Sequence, residues 1–252
     1  DKQFDISLYE ETYDAAIRFA KKYPDILAVT HNGKELYGHR QNMDITNPDY
    51  LHHAQIIIEK LMEQVKDYDC VIGFQLDNET KPYDTCSKYA QAKFVEYLKN
   101  EFPDIDEFNR EFGLDYWSNR VNDWDDFPDV RGTINQSLAA EFQRFQRSLV
   151  TEFLSWQSDI IKEYKRDDQF ITQNFDFDWT SHSYGYQPEV DQYDAARCMT
   201  VAGADIYHPS QDDLTGAEIT VCGNIARSLK KDNYLILETE AQGLTPWLPY
   251  PG

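Results

Sequence analysis

Basic residues are scarce in this chain: 24 Lys and Arg stand against 45 Asp and Glu, a formal net charge of −21. Nucleic acids and anionic membrane surfaces are bound through basic patches that release counterions, and none is visible, so neither is expected as a partner. Cysteine is sparse as well. Cys70, Cys86, Cys198 and Cys222 have no CxxC or CxC spacing, which signals neither a metal cluster nor a disulfide framework; free thiols are expected. No run of about eighteen apolar residues occurs, so no membrane-spanning helix is expected. A signal-peptide pattern is lacking too, although the chain opens on Asp1 rather than methionine. Without repeats, low-complexity tracts or linkers, residues 1–252 read as a single domain.

What the chain has in quantity is apolar and aromatic. Its 252 residues are 41% hydrophobic and 14% aromatic, with 17 Tyr, 14 Phe and 5 Trp, ample for a core. A neutral ligand such as a sugar meets no charge penalty here, and aromatic faces stack on sugar CH groups.

Apolar periodicity predicts helices at about 10–22 and at 49–67, where Ile57, Ile58, Leu61, Met62 and Val65 share a face. Asn32-Gly33 is a tight turn between Leu27-Ala28-Val29 and Leu36-Tyr37. A strand at 70–76 and a helix near 85–100 follow. The stretch 101–135 reads as irregular, with Pro103, Gly113, Pro128 and Gly132 among its breakers. One long helix at about 136–165 buries Leu138, Phe142, Phe145, Leu149, Phe153, Leu154 and Ile160. Then come strands at 169–175, 203–208 and 233–239, with helices near 191–199 and 214–230 between them. Strand and helix alternate with helical crossovers, the signature of an α/β chain with a parallel sheet.

Parallel strands bring their carboxyl ends to one face, where loops build a site. The residues at those ends are polar: Asn78 and Glu79, Asn174 and Asp176, Tyr207 and His208, Glu238 and Glu240. Cleavage of a glycosidic bond with retention needs one protonated and one ionised carboxyl about 5 Å apart, and Glu79 and Glu238 end two such strands. Asn78, just before Glu79, suits a sugar hydroxyl. Glu240 points the same way as Glu238 from an extended strand and is the rival nucleophile. A lone strand-end Glu is more often a surface carboxylate that caps a helix, and it is the pair that raises the chemistry. His52-His53 lacks the i, i+4 spacing of two metal ligands on one helix face. Asp123-Trp124-Asp125-Asp126 lacks the alternation and glycine of a calcium loop.

The segment Gly73-Phe74-Gln75-Leu76-Asp77-Asn78-Glu79 resembles the acid/base motif of glycoside hydrolase family 42 β-galactosidases. The resemblance extends, in family order, through Lys22 to Leu27, Arg40-Gln41-Asn42-Met43-Asp44, Phe108-Asn109, Asp115 to Arg120, Gln173 to Asp176 and Asp205-Ile206-Tyr207-His208-Pro209-Ser210. It implies a (β/α)8 TIM barrel, of which this chain holds about strands 4 to 7, the strand at 70–76 being the fourth and that at 233–239 the seventh. Earlier strands and the eighth are expected to lie outside it. It also implies a retaining β-galactosidase, with Glu79 as general acid/base and Glu238 as nucleophile, acting on terminal galactose; an α-L-arabinopyranosidase, a β-glucosidase and a non-catalytic sugar-binding protein are the alternatives. Arg40, Trp117 and Trp247 match substrate-binding residues of the family, while Tyr207 and His208 at a strand end are read either as orienting Glu238 by hydrogen bonding or, for His208, as a satisfied core histidine. Some family members hold zinc with cysteines; Asp44 stands where one of these would follow the arginine, so no metal or cofactor is expected. A cytoplasmic homotrimer taking a galactoside completes the expectation.

Overall fold

The computed structural model describes residues 20–34, 43–132, 134–177, 189–206 and 216–239. The chain divides into two compact units, one of residues 1–54 and 83–145, the other of 55–82 and 146–252.

In the first unit, β1 (Val29–Thr30) and β2 (Gly33–Lys34) form a two-stranded antiparallel hairpin with Thr30 opposite Gly33. Gly33 takes φ 119°, a conformation closed to residues with a Cβ. The turn therefore falls on His31-Asn32, one residue earlier than the Asn32-Gly33 reading; Leu36-Tyr37 lie outside the described residues, as does all but the end of the helix expected at 10–22. Helix α1 (Pro48–Val65) starts where Asn47 Oδ1 accepts the N–H groups of Asp49 and Tyr50, at 2.8 and 3.0 Å. Helix α2 (Lys88–Glu101) is capped by Ser87, whose hydroxyl accepts from the Ala90 N–H at 3.1 Å. It buries Ala90, Phe94 and Leu98. Phe94 is the centre of an aromatic cluster, with Phe142, Phe145 and Phe127 at ring-centroid distances of 5.0, 5.2 and 5.8 Å.

The stretch 101–135 is more ordered than its breakers suggest. It contains α3 (Ile105–Glu111) and short 3-10 turns at Tyr116–Ser118 and Trp124–Asp126. Pro103 ends the preceding helix, and Asp104 then caps the next through the Asp106 N–H at 2.9 Å. The fully buried Asn109 side chain donates to the carbonyls of Ile105 and Val121 and accepts from the Val121 N–H, fastening the loop back onto α3. Asp123 caps its own turn by accepting from Asp125 N–H.

The long helix α4 (Gln136–Tyr164) buries the whole expected face, from Leu138 to Ile160. The face expected on α1 is narrower than its periodicity implies. Ile58 and Met62 pack with Ile161, Ile171 and Phe74, whereas Ile57 and Leu61, one position round the helix, are 68% and 55% exposed.

The second unit is a parallel four-stranded sheet in the order β3 (Gly73–Asn78), β4 (Phe170–Asp176), β5 (Ala202–Asp205), β6 (Tyr234–Glu238). Helix α5 (Gln192–Ala195) with a 3-10 turn precedes β5, and α6 (Ala217–Lys230) crosses from β5 to β6. Neighbours in space are neighbours in sequence, the winding of a (β/α)8 TIM barrel rather than of a doubly wound sheet, whose order reverses. Strands β4 and β5 are buried, while β3 and β6, the outer strands of the described sheet, are mostly half-exposed.

Candidate active site

Two irregularities in strand pairing shape the carboxyl end of this sheet. Between β3 and β4 the register runs Gln75 opposite Thr172 and then Asn78 opposite Asn174, so β3 carries one extra residue. Between β5 and β6 it runs Ala204 opposite Ile236 and then Asp205 opposite Glu238, so here β6 carries the extra residue. An extra residue in a strand re-aims the side chains beyond it, because faces alternate with period two. With Asn174 paired to Gly203 and Asp176 to Asp205, the residues Asn78, Asn174, Asp176, Asp205 and Glu238 all come onto one face of the sheet.

Asn174 joins them. Its Nδ2 lies 3.0 Å from Asn78 Oδ1, 2.8 Å from Asp205 Oδ2 and 3.2 Å from Glu238 Oε1. Its Oδ1 accepts from the Glu79 backbone N–H at 3.1 Å and from Gln75 Nε2 at 3.0 Å. An amide NH2 has two protons for these three acceptors, so one of them is served by a shared bond. Gln173, on the opposite face of β4, accepts the Asp77 N–H at 3.0 Å and donates to Thr80 Oγ1 at 3.2 Å. Thr80 in turn donates to Asp77 at 2.8 Å. The backbone on both sides of Glu79 is thus tied to β4.

Glu79 itself is buried and has φ 44°, a left-handed conformation uncommon for a side-chain-bearing residue. It turns the chain just past the strand. Glu79, Asp205 and Glu238 each present a carboxylate oxygen, all within 4.8 Å of one another. Asp205 is fully buried. Burial, followed by the charge of Glu238, pushes its carboxyl up to about 8, with Glu79 and Asp176 adding to the effect and the Asn174 hydrogen bond opposing it. Like charges this close in a desolvated place oppose ionisation, so the Asp205 carboxyl favours its protonated form at neutral pH.

Of the residues singled out from sequence, Glu79, Asn78 and Glu238 come together. Trp117 lies in the first unit, 80% exposed, with φ 58° and its ring edge-on to Tyr116. Arg40, Tyr207, His208, Trp247 and the rival Glu240 lie outside the described residues. The sequence does not single out Asn174 and Asp205 as site residues. They stand at strand ends, but the two extra residues that bring them level with Glu79 and Glu238 leave no mark in the period-two pattern.

The His52 and His53 rings meet edge-on at 5.2 Å, and His53 hydrogen-bonds the Tyr23 hydroxyl. Donor types that would suit a soft cation meet elsewhere in the first unit, where His31, Asp84 and Cys86 each bring one ligand atom within 4.8 Å of the others. Burial, then the Asp84 charge, pushes the Cys86 thiol up to about 12. It is therefore a thiol at neutral pH, within 3.3 Å of the His31 ring nitrogen Nδ1. All four cysteines are free.

A sheet wound in sequence order, with acidic side chains gathered at its carboxyl end, has the arrangement of the α/β-barrel class. The chain belongs to glycoside hydrolase family 42, described as beta-galactosidase, whose sequence profile matches residues 2–251. Beta-galactosidase BgaA of Clostridium cellulovorans is 26% identical over 257 residues, which is 98% of this chain and 37% of that protein. Beta-galactosidase LacZ of Lactobacillus acidophilus is also 26% identical, over 99% of this chain and 38% of its own length. Among solved structures, the beta-galactosidase from Bacillus circulans sp. alkalophilus superposes with a TM-score of 0.77 at 27% identity, covering 92% of this chain and 34% of that one. The beta-galactosidase from the haloarchaeon Halorubrum lacusprofundi gives 0.79 at 22% identity and shares the fold. The chain thus spans well under half the length of the relatives it matches.

Proposed function

We propose that this chain carries the catalytic carboxylates of a retaining β-galactosidase, with Glu79 as general acid/base and Glu238 as nucleophile. The observation that supports this best is the separation of their carboxylate oxygens, within 4.8 Å. A retaining site brings its carboxyl groups to about 5–5.5 Å, whereas an inverting site leaves about 6.5–9.5 Å for a water.

The galactoside enters with its glycosidic oxygen toward Glu79, which gives up its proton as the bond to the leaving group breaks. Glu238 attacks the anomeric carbon from the opposite face to form a covalent galactosyl ester. Glu79, now ionised, removes a proton from water, and the resulting attack returns the sugar with its original configuration. Asn78, on the same face as both, is placed to hold a sugar hydroxyl more tightly in the transition state than in the ground state. Arg40, Trp117, Tyr207, His208 and Trp247 are read as substrate-binding on the family resemblance, and 1–252 as part of one catalytic barrel domain. On the same resemblance the full-length protein is read as a cytoplasmic homotrimer acting on galactosides and small galacto-oligosaccharides.

The test is covalent trapping. Incubating the full-length protein with an activated 2-deoxy-2-fluoro-β-galactoside and digesting it should give one peptide heavier by one fluorogalactosyl group, attached at Glu238. Label on Glu240 would move the nucleophile by two residues, and absence of any covalent adduct while the reagent is turned over would overturn the double displacement.

A further inference from the structure

The site contains a carboxyl group that the two-carboxylate mechanism does not use. Asp205 is fully buried, pairs with Glu238 across β5 and β6, and reaches both Glu79 and Glu238 to within 4.8 Å. Its Oδ2 accepts from Asn174 Nδ2 at 2.8 Å, and its Oδ1 is buried with no hydrogen-bond partner among the described residues. A buried carboxylate normally gathers donors around both oxygens; an oxygen left without one is in place for a group that supplies its own proton.

We infer that Asp205 is a third, protonated carboxyl of the site, a positioning residue that acts through Glu79 and Glu238 and sets the charge the cluster carries during turnover. The inference rests on the β-galactosidase reading for its kinetic part only. The groups that face Asp205 from neighbouring strands are acidic: Glu79 beyond β3, Asp176 on β4 and Glu238 on β6. The helix packed on β5, α6, carries Cys222, Arg227 and Lys230 among its described titratable side chains. Their sum favours the neutral acid, in line with a carboxyl pushed up to about 8. As a neutral acid Asp205 lets Asn174 reach Glu238 without adding a second negative charge beside the nucleophile. Once ionised it adds that charge beside both of the other carboxyl groups.

Two measurements on the full-length protein test this. The first needs no turnover: carbon-13 resonances of aspartate side-chain carboxyls are followed from about pH 5 to 9, and one should titrate near 8 and vanish in Asp205→Asn. Should that variant not fold, Asp205→Glu serves for the assignment. The second is the pH profile of kcat/KM on an aryl β-galactoside. Removing a group that becomes a like charge should move the alkaline limb of Asp205→Asn to lower pH, by about half a unit or more, with KM little changed. An Asp205 carboxyl already ionised at pH 7, or alkaline limbs that superimpose, would overturn the inference. A parent protein that shows the titration but cleaves no galactoside would sink the functional reading and leave the protonated Asp205 standing.

Discussion

The Asn174 side-chain oxygen accepts the backbone N–H of Glu79 at 3.1 Å. The residue read as acid/base is therefore held from the neighbouring strand, by its main chain, while the same amide's NH2 reaches Glu238 and Asp205. One side chain fixes the left-handed turn at Glu79 and the orientation of the carboxyl facing it. On the proposed reading the distance between the two carboxyls decides the kind of displacement, and Asn174 is the side chain that bonds on both sides of it.

Truncating Asn174 to Ala should accordingly damage both stability and rate. It leaves two buried partners, the Glu79 N–H and the Asp205 carboxyl, without that hydrogen bond, at roughly 1–3 kcal/mol for each group left unsatisfied. Relaxation of Glu79 and Glu238 by as little as about 1 Å is enough for a loss on the order of 10²-fold in kcat. Urea unfolding and steady-state kinetics on the same preparation check the two effects, and a variant that is less stable but turns over at the parental rate would show that Asn174 has no part in positioning.

Replacing Glu238 by Ala should abolish hydrolysis of an aryl β-galactoside and make the variant responsive to azide. A small anion entering the vacated space attacks the anomeric carbon from the nucleophile's side, giving α-galactosyl azide. Proton NMR of the product reads its configuration. If instead Glu240→Ala is the variant that azide rescues, Glu238 has been wrongly assigned.

Asp205 also bears on stability, with a definite sign. Its carboxyl is raised from 3.8 to about 8 on folding, so the folded protein keeps a proton that the unfolded chain releases. The stability this provides is complete below pH 3.8 and is lost as pH climbs through about 8. Asp205→Asn has no such proton to lose, and its melting temperature should fall less than the parent's between about pH 5 and pH 8. Parallel decline of the two melting curves in calorimetry is the contrary result.

How much of this was legible in the sequence differs by element. The face of α4 from Leu138 to Ile160 follows from a 3.6-residue period that packing did not alter. Strand order, and the closeness of Glu79 to Glu238, were legible because apolar runs end abruptly in acids. What was hidden has a common physical cause in non-local or non-periodic structure. Helix α3 sits in a stretch whose Pro and Gly suggest a loop, since a cap such as Asp104 can start a helix right after a breaker. The exposure of Ile57 depends on how α1 rolls against α4 and β4, which periodicity alone does not fix. Gly203 looks like a weak strand residue, yet a Cβ there would come within 2.5 Å of the Gln173 carbonyl and 2.6 Å of Thr172 Oγ1. The closeness of β4 and, through Leu237 Cδ1 at 2.6 Å, of β6 explains it. Asn174 and Asp205 escaped notice for the same reason: their importance comes from partners 95 and 31 residues away in sequence.

The register shifts at the ends of β3 and β6 carry a consequence for how such a site can change. A point substitution at Asn78 or Glu238 swaps one side chain and leaves the others aimed as before. Loss of a single residue between Gln75 and Asn78, or between Ile236 and Glu238, would leave the upstream ladder intact and rotate the carboxylate out of the cluster toward the opposite face. The chemistry is thus more vulnerable to a one-codon deletion at a strand end than to most replacements around it.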